Sequence, residues 1–453
     1  MAYKRSKYLL ISRQPFTSPS GRPVCLGYSA RTARYIHLSP ATADHLKSQT
    51  IDALDEATLR SLVRSEAVVP AEEDELAVVL GRLQASSAAP QARRISIMPT
   101  AYCNMACSYC GQEHVKGGFR HDRMSRMIDR VIAAIADPGS REVRITWFGG
   151  EPLMAMRTIV DMSGHFVPEA QRLRKKYVAS VVTNGSLLDE RKLALLHDEC
   201  RVEWVEVTLD GPAAVHDRRR KMKNGRGTFD RLLNLLSTVI REDRFPELKF
   251  GIRVNIDLEN EDHTSALIDT LIERGLGHPR VQLSLARVHS WGNDVSSVEL
   301  AAQAYAEREP EWLRTAQSAG MEIPLLPAHP KETTCIATTR RGELIDPSGA
   351  IYSCSEHPLV PRDRDRGRIA TVEVLGRGQP RPEGAFDGWY GELAERRWPC
   401  AGCPFLPVCG GSCPKLWHDG GQPCPSYKFN WETRLELAAA ANGYRRQDSG
   451  QHV

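Results

Sequence analysis

The sequence predicts an α/β protein in which parallel strands alternate with helices. Six strand-like runs lie between about residues 94 and 325, and helix-like stretches such as HDRMSRMIDRVIAAIAD and RKLALLHDE separate them. Strands that alternate with helices in this way form parallel βαβ units. Several runs end in the motifs FGGEP, TNG and LDG, and the carboxyl ends of parallel strands are where such folds place their active sites. The six runs are RRISIMPT, EVRITWFGG, VASVVTNG, WVEVTLDG, LKFGIRVNID and RVQLSLARV.

Residues 1–90 are predicted to form a small N-terminal α+β domain. KYLLIS, RPVCLGYS and ARYIHLS have the apolar character of strands, and three stretches with helical spacing of apolar residues follow. QASSAAPQARR is small, polar and proline-containing, as linkers are, so the α/β core is placed at residues 91–325. The helical stretches are SPATADHLKSQ, DEATLRSLVRSEAVVP and EEDELAVVLGRL.

The pattern changes again after the core. Residues 326–435 consist of short runs, turns and cysteines, so we expect little regular structure there and a fold held together by metal. Residues 436–453, which end in NGYRRQDSGQHV, are predicted to be a tail.

Composition excludes several classes of protein. The formal charge of +4 is small for 453 residues, which argues against a protein whose main partner is nucleic acid. No apolar run reaches the roughly 18 residues of a membrane span, and the start MAYKRSKYLLISRQPF lacks the apolar segment of a signal peptide. We therefore expect a cytoplasmic protein without a membrane partner.

The 12 cysteines are clustered, and clustered cysteines in a cytosolic chain bind metal more often than they form disulfides. Three lie in AYCNMACSYCGQEH, and seven lie between Cys335 and Cys424. Cys25 and Cys200 stand alone, and we interpret them as ordinary thiols with no assigned role.

The three cysteines of the first group are Cys103, Cys107 and Cys110, directly after the first core strand. A structural zinc site needs four ligands, and His114 could complete a Cys3His set. An iron–sulfur cluster is the better account, because three thiolates can hold three irons of a [4Fe–4S] cluster. The fourth iron is then open to a substrate or cofactor.

The spacing Cys-x3-Cys-x2-Cys, with Tyr109 before the third cysteine, resembles the signature of the radical S-adenosylmethionine (SAM) enzymes. WFGGEP resembles the family's GGEP motif, whose backbone and glutamate receive the methionine amino group of SAM. TLDG and HDRRR resemble the SAM-contacting stretch after the fourth strand, although most relatives carry Ser in place of Thr208. The resemblance implies a partial (β/α)6 TIM-like barrel. The SAM-binding residues that it implies are Tyr109, Gly149, Gly150, Glu151, Thr208 and Arg220.

Those residue types suit an amino-acid cofactor on physical grounds as well. SAM carries an ammonium and a carboxylate, and a glutamate near the first and an arginine near the second would orient them. Glu151 could also be an exposed carboxylate at a strand end, and Arg220 lies in the basic run DRRRKMK, where most side chains are solvated.

The seven later cysteines resemble the SPASM extension of radical SAM enzymes in their spacing, including Gly349-x4-Cys354. That resemblance implies two auxiliary [4Fe–4S] clusters beside the SAM-binding one, three in all. It assigns Cys335, Cys354 and Cys413 to the first auxiliary cluster and leaves its fourth ligand open. It assigns Cys400, Cys403, Cys409 and Cys424 to the second. A pair of zinc ribbons is the alternative for this segment.

The family resemblance implies a reaction. A low-potential electron, from a donor such as flavodoxin or ferredoxin, cleaves SAM to methionine and a 5′-deoxyadenosyl radical, which abstracts hydrogen from an unactivated carbon. Auxiliary clusters would take an electron away, so the net reaction is oxidative.

Two substrate classes compete. One is a ribosomally made precursor peptide (a RiPP precursor) that acquires a carbon–carbon, thioether or ether crosslink, and the resemblance of residues 1–90 to leader-binding domains favours it. The other is a sulfatase whose Cys or Ser becomes formylglycine, but relatives of that type place an Asp base where this chain has Ser355. Glu356 and His357 are the candidate acid/base residues instead. A zinc-dependent scaffold without catalysis is a third hypothesis.

Overall fold

The chain begins with an α+β unit, seen in a computed structural model that describes residues 2–89, 92–116, 121–376 and 378–447. The three predicted strands and three predicted helices are all present, together with three further short strands. Ser39, Asp55 and Asp74 cap the three helices, because each side chain accepts a hydrogen bond from an N–H of the first turn. The elements are strands β1 Tyr3–Arg5, β2 Leu9–Ile11, β3 Phe16–Thr17, β4 Pro23–Ser29, β5 Arg34–Leu38 and β6 Val68–Pro70, and helices α1 Pro40–Ser48, α2 Glu56–Arg64 and α3 Glu75–Ala88.

The predicted linker is shorter in the structure, because α3 continues through its first five residues, to Ala88, and a core strand begins at Ala92. Ser87 anchors this last turn: its hydroxyl donates to Thr333 Oγ1 (2.9 Å) and shares a hydrogen bond with Tyr390 Oη (3.0 Å). Residues 90 and 91, at the predicted boundary, lie outside the described residues.

The six predicted core strands lie side by side in chain order in one sheet, each parallel to the next. Helices separate them along the chain, which confirms the α/β prediction. The core strands are β7 Ala92–Ile97, β9 Glu142–Trp147, β10 Lys176–Thr183, β11 Val202–Thr208, β13 Lys249–Ile256 and β14 Val281–Arg287, and the short strands β8 Met105–Cys107 and β12 Arg220–Met222 pair with each other. The helices are α4 His121–Ala136, α5 Met156–Arg172, α6 Glu190–Ala194, α7 Ala213–Arg219, α8 Phe229–Arg241, α9 Thr264–Glu273 and α10 Ala302–Ser318.

The segment after the core has more regular structure than predicted. Its first strand lies parallel to β7 and extends the core sheet, and two further strands continue that sheet antiparallel. The elements are β15 Gly342–Ile345, β16 Ala350–Tyr352, β17 Arg368–Thr371, α11 Pro361–Gly367, α12 Trp389–Ala394, α13 Leu406–Cys409, α14 Pro414–His418, α15 Tyr427–Ala441 and β18 Arg445–Arg446.

The predicted tail at 436–453 is partly folded. Residues 436–441 complete α15, where Leu435 and Ala439 pack against Phe16 and Leu26, and β18 pairs with β3. The tail prediction is therefore wrong for these residues, because an apolar helix face had an N-terminal partner that sequence spacing does not show. Residues 448–453 lie outside the described part of the chain.

The N-terminal unit shares a core with the cysteine-rich segment. Leu80 and Leu83 of α3 belong to the same buried cluster as Trp389, Leu393 and Phe405. This packing places the cysteine-rich segment against both the first unit and the core sheet. Among the helices of the described ranges, none is long and apolar enough to cross a membrane.

Candidate active site

A cavity of about 300 Å³ opens at the carboxyl ends of the core strands. Each of the six strands contributes, either with its last residues or with the loop that follows it, as a parallel sheet requires. Residues from the predicted site that line it are Cys103, Cys107, Cys110, Tyr109, Gly149, Gly150, Thr208, Arg220 and Glu356.

The three-cysteine loop is fixed to the chain that carries Arg220. β8 and β12 pair antiparallel with Cys107 opposite Arg220, and the N–H of Ser108 donates to the carbonyl of Arg219 (2.9 Å). The sulfur of Cys103 accepts hydrogen bonds from the N–H of Met105 (3.5 Å) and from Asn184 Nδ2 (3.6 Å). Backbone pairing of β8 with β12 therefore holds the loop that carries the three thiols in place.

Two glycines let the end of β9 approach this loop. Gly149 has a φ of +139°, and a Cβ added there would lie 2.4 Å from the side chain of Met98. A Cβ on Gly150 would lie 2.4 Å from the carbonyl oxygen of Tyr102. The motif needs both glycines, because Gly149 has a φ that L side chains rarely adopt and the cysteine loop occupies the space that a side chain at Gly150 would fill.

Arg220 is buried in a polar network beside the thiols. Its guanidinium donates to Tyr109 Oη, which in turn donates to Asp210 Oδ2 (2.6 Å) and accepts from Asn255 Nδ2 (3.0 Å). Burial lowers the pKa of Arg220, but the neighbouring Cys107, Tyr109 and Asp210 more than reverse this and raise it well above its usual value. Arg220 Nε is buried without a hydrogen-bond partner among the described residues, so the side chain has capacity for a ligand.

Glu151 does not line the cavity. Its carboxylate is fully buried and accepts hydrogen bonds from Thr183 Oγ1 (2.6 Å), Asn184 N (2.7 Å) and Leu153 N (3.0 Å). Burial raises its pKa despite these bonds. In the structure Glu151 braces the turn after β10, and its contact with a SAM amino group stays a prediction.

The structure separates the two candidate acid/base residues. Glu356 lines the cavity with the three-cysteine loop, whereas His357 is 6% exposed and packs on Phe386 at a ring distance of 5.8 Å. Ser355 lines a different cavity, together with Cys335. Burial raises the pKa of Glu356, against the opposing charges of Arg253 and Lys415.

The seven later cysteines form two groups. Cys400, Cys403, Cys409 and Cys424 line one small cavity, as the predicted second set requires. Cys335 packs against the buried cluster that contains Cys354. Burial raises the pKa of Cys354 well above its usual value, and the charges of Glu356, Cys335 and Cys413 raise it further. The structure therefore groups these thiols as the two predicted sets do, and their role as cluster ligands stays a prediction.

The grouping of the thiols suits a cluster of several irons. Burial raises the pKa of Cys103 to about 11, and of Cys400 to about 12, so these thiols keep their protons until a bound metal displaces them. Within the described ranges, no three His, Cys, Asp or Glu side chains converge as ligands of one metal ion. A [4Fe–4S] cluster does not require that convergence, because each thiolate binds a different iron. The thiol groups therefore fit the predicted clusters.

The sequence analysis missed several residues of the cavity wall. Glu206 lies two positions before Thr208 on β11, so both side chains leave the strand on the same face. On β13, Arg253 and Asn255 are also two positions apart and share one face of the strand. Charged or amide side chains inside an otherwise apolar strand are the sequence signal that could have identified these residues. Other polar or aromatic lining residues that were missed include Gln112, Asn184, Arg287, His289 and Trp291.

Comparison with known proteins agrees with this geometry. Residues 97–271 match the Radical SAM superfamily. The chain is 22% identical over 332 residues to the serine-type anaerobic sulfatase-maturating enzyme of Klebsiella aerogenes, an alignment that covers 69% of this chain and 77% of that enzyme. The enzyme of the same name from Bacteroides thetaiotaomicron is 30% identical over 169 residues, 33% of this chain and 38% of its own.

The fold is shared with a solved structure. Native anSMEcpe with bound AdoMet and Cp18Cys peptide superposes with a TM-score of 0.59 at 17% identity, over 78% of this chain and 99% of that one. The similarity at this identity concerns the fold, and the residues of the cavity are argued from this chain alone.

Proposed function

Because residues 97–271 form a radical SAM domain, we propose that this chain is a radical SAM maturase of a peptide substrate. The observation that carries the proposal is that the three thiols of the Cys103–Cys110 loop share one cavity with Thr208 and Arg220. A [4Fe–4S] cluster on these thiols, with SAM beside it, would supply a 5′-deoxyadenosyl radical for hydrogen abstraction.

The residues of the cavity would hold SAM in place. The guanidinium of Arg220 is fixed by Tyr109 and Asp210, so it presents a positive charge suited to the methionine carboxylate. Thr208 offers a hydroxyl at the end of β11, and the backbone of Gly149 and Gly150 lines the same wall. Asp210 and Asn255 keep Tyr109 in position, so the site is organised before SAM arrives.

Glu356 is the base of the proposed reaction. It comes from the cysteine-rich segment, which we propose to be a SPASM domain over residues 326–435, yet it reaches the cavity of the core. Removal of a substrate electron by an auxiliary cluster needs a nearby proton acceptor, and Glu356 lies two residues from the cluster thiol of Cys354. No such position is available to His357, which is packed away from the cavity.

For the substrate we propose a ribosomally made precursor peptide that acquires a crosslink. The N-terminal unit supports this, because β5 pairs only with β4 among the described strands and leaves its other edge open to an added leader strand. We further propose that a flavodoxin or ferredoxin supplies the electron. All 12 cysteines are free thiols, in keeping with a reducing cytoplasm.

A sulfatase-type maturase is the second candidate, and the alignment with the Klebsiella enzyme favours it. Its base would again be Glu356, since Ser355 faces another cavity. The two candidates differ in substrate and product: a sulfatase-derived peptide with Cys or Ser yields formylglycine, and a precursor peptide yields a crosslink.

Metal analysis with SAM cleavage tests the proposal. Full-length protein, reconstituted without oxygen, should hold about 12 irons per chain and release 5′-deoxyadenosine on reduction. Cys107→Ala should retain about 8 irons and lose SAM cleavage, whereas Cys25→Ala, a buried thiol of the N-terminal core, should behave as wild type. Zinc in place of iron, without SAM cleavage, would reject the proposal and favour a structural metal site.

Mass spectrometry then separates the two substrate classes. Loss of two hydrogens from a precursor peptide without cleavage supports the crosslink, and an aldehyde on a sulfatase-derived peptide supports the second candidate.

A further inference from the structure

The outer edge of the core sheet forms the wall of a second cavity. Among the described strands, β14 pairs only with β13, apart from a single bridge between Gln282 and Glu322 near its start. Beyond that bridge, the strand from Leu283 to Arg287 lines a cavity of about 360 Å³. An unpaired strand edge is a template on which another extended chain can add.

The bridge determines which backbone groups face this cavity. The N–H of Leu283 donates to the carbonyl of Glu322 (3.2 Å), so the backbone of Leu283 points to the outer edge. Backbone groups of alternate strand residues point to the same edge. The N–H and C=O of Leu285 and the N–H of Arg287 therefore face the cavity, and they are spaced for the ladder of one added strand.

The second cavity leads into the candidate active site. Arg253, Arg287 and His289 line both cavities. A chain that followed β14 from Leu283 to Arg287 would run about 13 Å along the edge, at roughly 3.3 Å per residue, and reach the thiol loop's cavity at its end.

The charge of the second cavity is positive. Arg253 donates to the amide oxygen of Asn255 (2.8 Å), and Arg287 donates to the carbonyls of Leu300 (2.9 Å) and Gln422 (3.1 Å). Neither arginine forms an ion pair within the part of the chain that the structure describes. Among the described residues of the wall, the one carboxylate is Glu309, which is already paired with Arg434. An acidic occupant would supply the counter-charges.

We propose that the free edge of β14 binds an extended, acidic segment of the peptide substrate as an added strand and guides it to the candidate active site. This inference rests on the proposed function, since it concerns the substrate of the same site. It names the part of the enzyme that would hold the peptide next to the modified residue, as a site separate from the β5 edge proposed for the leader.

The test uses full-length protein, reconstituted without oxygen and supplied with SAM. Two fluorescent decapeptides serve as probes, one of alternating Val and Glu and one of alternating Val and Lys. The acidic peptide should bind at least about tenfold more tightly, a difference of ~1.4 kcal/mol, with the difference reduced at high salt. Hydrogen exchange should show slower exchange of the Leu285 and Arg287 amides when the acidic peptide is bound.

A proline variant tests the backbone contact itself. Leu285→Pro removes the N–H that faces the cavity without removing a ladder bond to β13, a change that edge strands tolerate. The proline variant should bind the acidic peptide about tenfold more weakly, a difference of ~1.4 kcal/mol. Leu285→Ala loses the same side chain but keeps the N–H, so its affinity for the acidic peptide should fall far less. If the proline variant does not fold, hydrogen exchange on the wild-type protein decides.

Equal affinity of the two peptides, or unchanged exchange at residues 285 and 287, overturns the inference. SAM cleavage measured on the same samples distinguishes failure of the edge site from failure of the proposed function. Intact cleavage with an unprotected edge rejects the edge site alone, whereas absent iron and absent cleavage reject the proposed function.

Discussion

At the scale of single residues, Glu356 provides the sharpest test of the chemistry. It is the acidic side chain that the cysteine-rich segment contributes to the cavity of the core. Glu356→Gln preserves its size and removes its basicity, so peptide modification should fall by about 10²–10⁴-fold while SAM cleavage continues. The measurement is the ratio of modified peptide to 5′-deoxyadenosine in single-turnover samples.

Ser355→Ala is the matched control, because Ser355 is the neighbouring residue but lines another cavity. It should leave that ratio at the wild-type value. A Glu356→Gln enzyme that modifies its peptide at the wild-type rate would exclude the carboxylate as an essential base.

His216 makes the folded state sensitive to acid. Its Nδ1 accepts from Asp210 N (3.3 Å) and its Nε2 shares a hydrogen bond with Thr228 Oγ1 (3.1 Å). Burial, reinforced by Arg220 and Arg219, lowers its pKa from 6.5 to about 3. Between pH 6.5 and about 3, His216 is therefore protonated in the unfolded chain but neutral in the folded chain. The free energy of unfolding falls as pH falls through this range, by ~1.4 kcal/mol per pH unit from this residue.

The measurement is urea unfolding of metal-free protein from neutral pH down to about pH 5, within the range where this residue contributes. His216→Gln should be less stable near neutrality but should show a shallower decline, by ~1.4 kcal/mol per pH unit. Parallel declines for variant and wild type would show that another group governs the acid response.

Residue spacing predicted the grouping of the cysteines better than it predicted the other residues of the cavity wall. Cysteines at short intervals must be close in any fold, so the grouping of Cys103 with Cys110 needed no tertiary information. Arg253 and Glu206 reach the cavity only because strands distant in sequence lie in register. For Glu151 the motif was identified from the sequence. Spacing alone could not show that its carboxylate accepts hydrogen bonds from Thr183 and Asn184.

At the scale of elements, the turn after β9 should be intolerant of any side chain. A Cβ on Gly150 would lie 2.4 Å from the carbonyl oxygen of Tyr102, and backbone cannot move aside as a flexible side chain can. Gly150→Ala should push the cysteine loop away, lower the iron content from about 12 to about 8 per chain and abolish SAM cleavage.

Gly164→Ala provides the control within the same crossover unit. Gly164 lies in α5 with nothing within 4 Å of an added Cβ, so this variant should keep its iron and gain ~0.5–1 kcal/mol of stability. Full iron and normal cleavage in Gly150→Ala would mean that the loop has room to shift.

Helix and strand patterns predicted the core sheet because each strand carries apolar residues that are buried in the core, and turns bound each strand. They failed where an element depends on a distant partner. The last turn of α3 looked like a linker because its Ser and Ala residues are weakly apolar, yet Ser87 is held by Thr333 and Tyr390. β15 was missed for a related reason, since its pairing with β7 joins residues far apart in sequence.

At the scale of the whole molecule, the N-terminal unit and the cysteine-rich segment should unfold together. Leu76, Leu80 and Leu83 of α3 share one buried cluster with the apolar residues around the four-thiol cavity, and Cys400 belongs to that cluster. Metal bound at those thiols would therefore stabilise α3, although α3 carries no ligand. Helix α2 packs through Leu62 in a separate cluster and lacks this coupling.

The same coupling predicts that deleting residues 1–90 exposes the apolar face of Trp389 and Phe405 and lowers the iron content. A truncated chain would therefore be a poor test of leader binding.

Iron removal tests that coupling by hydrogen exchange. In metal-free protein the amides of α3, Glu75–Ala88, should exchange faster than in the reconstituted protein, while those of α2, Glu56–Arg64, should change much less. Equal responses of α2 and α3 to iron removal would show instead that the cluster stabilises the molecule as a single unit and that the shared core does not transmit the effect selectively.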